Sequence, residues 1–163
     1  MSIPSALLDC LNTNQIPYEI LPHAKAYTAR MAAAAEAIPR HHQAKVVMVS
    51  FPKGPAMTVL PADRKLDLRK LRALIHEPVS LQTEAEFAPV FGDCERGAMP
   101  PFGNLYGIPT FVDQHLAGED YIVFEAGTYT DAIKIRYADY ERAVKPQVAD
   151  LAIDHSEDFS TWS

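Results

Sequence analysis

The sequence predicts an α+β fold, a single domain in which a central mixed β-sheet is flanked by helices. Three observations point there. Short runs rich in β-branched and apolar residues recur along the 163-residue chain, segments with apolar residues at helical spacing stand between them, and no repeat or low-complexity linker interrupts the series. A chain of this length suits one domain with one sizeable core. We draw that domain over residues 1–146, followed by an acidic tail over 147–163.

Each element follows from local chemistry. Ile3, Leu7, Leu8 and Leu11 recur at helical spacing, and the polar "NTNQIP" stops that first helix near Asn12. "PYEIL" reads as a short strand. Thr28 caps an alanine-rich helix that must end before Pro39, because a residue ahead of proline is pushed out of the helical region. "AKVVMVSF" and "AMTVLPA" flank the turn "PKGP" and pair as a central hairpin. Asp67 caps a third helix whose Leu68, Leu71 and Leu74 or Ile75 face inward. Thr83 and Glu86 have capping-box spacing at the start of "EAEFAPVF", which Pro89 ends. "IPTFVD", "DYIVFEAG" and "DAIKIRY" supply three more strands, and "ADYERAVK" the last helix.

A content of 48% hydrophobic and 22% charged residues is that of a globular protein and excludes disordered or fibrous classes. The start "MSIPSALLDC" lacks the basic region and long apolar core of a signal peptide. The longest uncharged run, Gly97 to Val112, is broken by Pro100, Pro101 and Pro109, so no membrane span is expected. Cys10 and Cys94 form neither a disulfide framework nor a metal spacing, which fits a reducing, cytoplasmic setting. The net charge of -6 speaks against a polyanionic partner, but the tail after Lys145 holds four acids and no base, which leaves -2 for the rest. "RKLDLRKLR" gathers Arg64, Lys65, Arg69, Lys70 and Arg72 against one acid, a patch that reads as a solvated helix face or as a nucleic-acid contact.

No G-x-S-x-G elbow, P-loop, G-x-G-x-x-G fingerprint or H-E-x-x-H helix is present, so hydride transfer, ATP use and zinc proteolysis lose support. His41 and His42 are adjacent, and neighbours in sequence do not converge on one ion unless the fold adds a third ligand; no metal is expected. Cys94 would be a nucleophile if a histidine reached it, while a buried structural thiol is the plainer reading. Lys45 opens the apolar strand "KVVMVSF", where it either invites an anion or snorkels from the strand end. His23 in "LPHAKAYTA" suits a satisfied loop residue or a base. The stretch "ERGAMPPFGNLYGIPTFVD", residues 95–113, sets two prolines between glycines. Gly97, Gly103 and Gly107 permit positive φ or close approach of a ligand, and Pro100 and Pro101 fix φ and remove donors. Such a stiff loop with exposed amides suits a site where backbone N–H groups hold a carbonyl or oxyanion, and equally a structural run of turns.

"KVVMVS" with Lys45 leading, "LPADRKLDLRKL", "GAMPPFGNLYGIPTFVD" and "FEAGTYTDAIKIRYADY", in that order and preceded by a histidine and "YTA", resemble the YbaK and prolyl-tRNA-synthetase-associated family of aminoacyl-tRNA deacylases. The likeness runs from Tyr18 to Ala143. Its most specific pair is the strand-leading lysine and the Gly-x-x-x-Pro-x-Gly loop, here Gly97, Pro101 and Gly103. The resemblance implies one domain with a mixed, curved sheet, working free-standing to hydrolyse the ester of tRNA mischarged with a small amino acid, such as Cys or Ala on tRNA(Pro).

It also implies roles for particular residues. Lys45, Gly97, Pro101 and Gly103 would form the catalytic set, with Lys45 holding the phosphate or aminoacyl end as a compact charge. His23, Thr28, Met48, Pro100, Phe102 and Gly127 would line the substrate site. Arg64, Lys65, Arg69 and Lys70 would meet the tRNA. Loop amides and the substrate's terminal ribose hydroxyl would do much of the positioning, with no cofactor. The partners implied are the acceptor end of aminoacylated tRNA and an aminoacyl-tRNA synthetase, with no DNA and no membrane. Where some members carry a histidine after the second glycine, this chain has Thr128, Tyr129 and Thr130, and Pro100 replaces a small polar residue, so the amino acid cleaved is not inherited. Two other readings stay open: a non-catalytic module that binds an aminoacyl or nucleotide end, and a Cys94-dependent hydrolase.

Overall fold

The computed structural model describes residues 2–22 and 38–154. Helix α1 (Ser5–Thr13) precedes strand β1 (Glu19–Pro22), and the hairpin of β2 (Gln43–Phe51) and β3 (Gly54–Pro61) follows. Next come α2 (Leu68–Ile75), β4 (Ser80–Leu81), α3 (Glu84–Phe87), β5 (Thr110–Asp113), α4 (Gln114–Ala117), β6 (Tyr121–Glu125), β7 (Asp131–Arg136), α5 (Tyr137–Val144) and β8 (Gln147–Ala149). The alanine-rich helix expected after Thr28 lies outside the described residues, as do His23 and Thr28.

The strands form one sheet in the order β1-β7-β6-β2-β3-β5-β8, with β4 also on β2. It is mixed: β2 runs parallel to β6 and antiparallel to β3, and β5 runs parallel to both β3 and β8. The expected hairpin forms with Phe51 opposite Gly54 and is central. Local signals behave as the residues dictate. Asp67 caps α2 by accepting the Arg69 N–H at 2.9 Å. Thr83 and Glu86 close a reciprocal capping box, which satisfies donors that a helix start leaves free. Pro89 confines α3 to one turn, after which Ala88–Phe91 tightens into a 3-10 turn.

Alternation along the strands divides the core between the two faces of the sheet. Met48, Met57, Val59, Val112, Ile122, Phe124, Ile133 and Ile135 join the first cluster, with α1 and α5 packed on it through Leu7, Leu11 and Tyr140. Val49, Ala56, Leu60 and Phe111 point the other way and pack against Leu71 of α2.

The chain after residue 146 differs from expectation. Its first part is not a tail: β8 pairs with β5 in register Val112↔Val148, and Leu151 is fully buried. The Leu151 N–H donates to the buried Asp113 carboxylate at 2.9 Å, and Ala152 bridges to Leu66. The Asp-rich composition hid an apolar strand and anchor, Val148 with Leu151 and Ala152, that completes the second cluster. The domain therefore extends to residue 154 at least.

Candidate functional site

The site is built where β6 ends. β2 runs parallel to β6 with Ala44 beside Phe124, so Lys45 is next in register to Glu125. Two residues on, Gly127 adopts φ +87° and ties the proline loop to the strand end. Its N–H donates to the Ala98 carbonyl at 2.8 Å, and its own carbonyl accepts the Glu95 N–H at 2.8 Å. The turn that follows β6 grips the same loop: Tyr129 donates its N–H to the Glu95 carboxylate and its hydroxyl to the Arg96 carbonyl, both at 2.6 Å. Thr128, fully buried, donates to Asp131 at 2.8 Å and fixes that turn.

A gap opens in the sheet beside this loop. On the edge of β2 away from β3, β6 pairs only as far as Ala44 and β4 begins at Val49. Val46 to Met48 thus have no strand neighbour there among the described residues, apart from the Gln82 N–H donated to the Met48 carbonyl. Within the loop, Ala98 donates back to Glu95, but the N–H groups of Gly97 and Met99 donate to nothing among the described residues. The exposed Gly97 amide near the end of β6 can hold an anion or a carbonyl oxygen, while Lys45 leaves β2 on the face opposite to Met99 and Phe102 of the loop.

The structure sorts the expected residues. Lys45 is half-buried and engaged in an interaction, and it leaves β2 on the side of Val47 and Val49. Gly97, at φ +80°, is exposed with nothing within 4 Å of where a Cβ would stand, so it is the part of the loop open to a ligand. Beyond it the loop is less bare than expected: Ala98, Met99, Pro100, Pro101, Phe102 and Gly103 are all buried. Phe102 is a core residue, its ring 5.3 Å from Phe124 and 5.4 Å from Tyr140. The Pro101 carbonyl accepts the buried Tyr140 hydroxyl at 2.6 Å, which anchors the loop from below. At Gly103 a Cβ would collide with Thr110 and stand 2.6 Å from the Ile108 carbonyl, so packing is what demands glycine there. Met48 lies in the first cluster, on the opposite side of β2 from Lys45.

The basic stretch is partly neutralised within the fold. Arg69 forms an ion pair with Asp67 at 3.0 Å. Lys70 meets Asp150 at 3.1 Å and Asp154 at 3.0 Å; burial opposes its charge, yet the two carboxylates raise its pKa. Arg64 and Lys65 precede the helix and remain on the surface.

The surroundings of Cys94 disfavour a nucleophilic thiol. Burial pushes its thiol up to about 11, and its polar neighbours are the Tyr106 hydroxyl at 3.3 Å and Asp93 at 3.4 Å, with no histidine among the described residues. A thiol so rarely ionised is inert. One residue escaped the sequence reading: Glu125, next in register to Lys45, is solvent-exposed overall yet crowded enough that burial raises its carboxyl. Only the pairing of β6 with β2 brings it beside Lys45, and no spacing in the sequence signals that.

A mixed-sheet domain with a backbone-lined site at a strand end is the class that fold and site define. Residues 23–143 match the aminoacyl-tRNA editing domain, and the chain belongs to that family. A solved structure of a candidate trans-editing enzyme for prolyl tRNA synthetase superposes with a TM-score of 0.77 at 25% identity, covering 94% of this chain and 100% of that one. A hypothetical protein superposes with 0.79 at 20% identity, covering 91% and 99%. A candidate signal transduction protein from Marinobacter aquaeolei VT8 superposes with 0.75 at 19% identity, covering 95% of this chain and 32% of that one. Comparison with curated proteins returns no match. Among the described residues no helix is long and apolar enough to cross a membrane.

Proposed function

We propose that this chain is a free-standing trans-editing aminoacyl-tRNA deacylase that hydrolyses the ester of tRNA carrying a small amino acid, with Cys or Ala on tRNA(Pro) as the leading substrates. The observation that carries the reading is the junction of loop and strand: Gly127 fastens to the end of β6 a loop whose Gly97 and Met99 amides donate to nothing among the described residues, and β6 is the strand next to that of Lys45.

In this reading Lys45 holds the terminal phosphate or the aminoacyl end, and the Gly97 and Met99 amides donate to the ester carbonyl oxygen as it gains charge. Water attacks the carbonyl carbon, the bond from that carbon to the ribose oxygen breaks, and the proton released by the water ends on the ribose oxygen. The products are a free amino acid and an uncharged 3′ end. An ester is activated already, so oriented donors and the substrate's own ribose hydroxyl suffice without a nucleophilic side chain. The buried prolines and Phe102 make the wall beneath the loop rigid, and a rigid wall is what a size-selective second sieve needs. Selection by such a sieve is required because an apolar pocket separates a methylene by only about 1–3 kcal/mol. The acceptor end of tRNA is the partner, with an aminoacyl-tRNA synthetase as the source of mischarged substrate.

The test is release of amino acid from a panel of mischarged tRNAs, including Cys- and Ala-tRNA(Pro), by wild type and Lys45→Ala. Loss of one charge-assisted contact should lower kcat/KM about 10- to 100-fold in protein that is still folded at the assay temperature. Saturable tRNA binding without release from any member of the panel would replace this reading with a binding module.

A further inference from the structure

We propose that His41, His42 and Glu119 form a binding site for a borderline divalent transition ion, Zn²⁺ being the reference case. The site stands apart from the deacylase reading and does not depend on it. In sequence the two histidines lack a third ligand, and the fold supplies it. The 3-10 turn Arg40–His42 leads into β2, and Glu119 lies in the turn ahead of β6, so the pairing of β2 with β6 brings a carboxylate to both rings.

The distances suit an ion. Glu119 places Oε1 3.0 Å from His41 Nδ1 and Oε2 3.5 Å from His42 Nδ1. One ligand atom from each of the three residues falls within a set spanning 4.8 Å. Ligands held 2.0–2.1 Å from a tetrahedral zinc are about 3.3–3.4 Å apart, so small rotations of the side chains complete the geometry. The rings are also held in place. His42 stacks on Tyr121 with centroids 3.9 Å apart, and its Nδ1 lies 3.0 Å from the Tyr121 carbonyl. With Nδ1 taken by that carbonyl, Nε2 is the His42 nitrogen left for the ion, as in a metal-bound histidine whose other ring nitrogen is held by backbone. Water can fill the fourth position. Two imidazoles and a carboxylate select Zn²⁺, Co²⁺, Ni²⁺ or Cu²⁺ over Mg²⁺ or Ca²⁺, which prefer oxygen-only sets.

His41 is half open to solvent and Glu119 about a quarter, so an ion can enter without unfolding anything. Once bound it bolts the start of β2 to the start of β6, three residues ahead of Lys45. It ties together by coordination the two strands on which the loop and the lysine depend.

Titration of untagged protein with Zn²⁺ by calorimetry, and with Co²⁺ by visible absorption, tests the site. We expect one equivalent of Zn²⁺, Co²⁺ bands of a nitrogen-containing tetrahedral or five-coordinate site, and a raised melting temperature with metal. His41→Ala and Glu119→Gln should each weaken binding about tenfold or more and abolish the thermal shift, whereas His76→Ala should leave both intact. His41→Gln, on a half-exposed side chain, provides a folded comparison should the alanine variant melt early. Absence of stoichiometric binding, or binding that survives both ligand substitutions, overturns the proposal.

Discussion

The amide of Gly127 and the carbonyl of Ala98 meet at 2.8 Å, and this single bond hangs the proline loop on the end of β6. The side of Gly127 that would carry a Cβ faces Pro4 and Cys94. The glycine therefore holds the loop by its backbone and lets the chain start pack beneath it.

Gly127→Ala should consequently act on stability first. An added Cβ would stand 2.5 Å from Pro4 Cδ, at φ +87°, where L-residues are strained. Overpacking and strain together cost about 2–4 kcal/mol. Gly97→Ala carries the same kind of φ strain at +80° but meets no atom within 4 Å, so it should cost about 1–2 kcal/mol. Urea melts of the pair separate packing from conformation; equal losses would refute the packing argument.

The thiol of Cys94 yields a pH prediction with a definite sign. Its native pKa is raised from about 9 to about 11, mainly by burial, so the neutral thiol is the form the fold favours. Its contribution to stability is complete below about pH 9 and is lost as pH rises through about 11. At pH 8 roughly one thiol in a thousand is ionised, so alkylation of the native protein should be slow and should accelerate steeply toward pH 11. Cys94→Ser should leave ester hydrolysis nearly unchanged. Rapid inactivation by iodoacetamide at pH 8, protected by substrate, would restore a thiol mechanism.

Periodic and capped segments were legible in the sequence because their signals are local. Asp67, the Thr83–Glu86 box and the "PKGP" turn each act within four residues, and each appears where expected. What the sequence could not show depends on strand order. Lys45 stands beside Glu125, and His41 and His42 beside Glu119, only because β6 pairs with β2 across some eighty residues of chain. The burial of the loop was not legible: Phe102 and the prolines look like a pocket rim in one dimension and are core in three, because Tyr140 and Phe124 lie beneath them. The tail was misjudged for a similar reason, since its apolar anchor is short and only the edge of β5 gives it a place.

That anchor is testable. Leu151 is fully buried in the second cluster, and its N–H is bound by Asp113. Leu151→Ala should cost about 2–5 kcal/mol. Val148→Ala, on a side chain 39% exposed in the same segment, should cost less than about 1 kcal/mol. Thermal denaturation distinguishes the two, and a silent Leu151→Ala would return residues 147–154 to the status of a tail.

Charge on the basic stretch should divide in the same way between structure and recognition. Lys70 is already shared between Asp150 and Asp154, so Lys70→Gln removes a cation whose field is largely cancelled. It should leave the salt dependence of tRNA binding unchanged while loosening the chain end that carries those carboxylates. Arg64 and Lys65 lie on the surface ahead of α2, and on the deacylase reading each meets a backbone phosphate. Replacing both by Gln should then lower the slope of log K against log salt by about 1.5, since each lost phosphate contact removes about 0.7–0.9. Affinity of tRNA measured across a salt series with the three variants gives the answer. A slope that falls for Lys70→Gln and stays fixed for the Arg64 and Lys65 pair would move the tRNA path off the start of α2 and onto its exposed face.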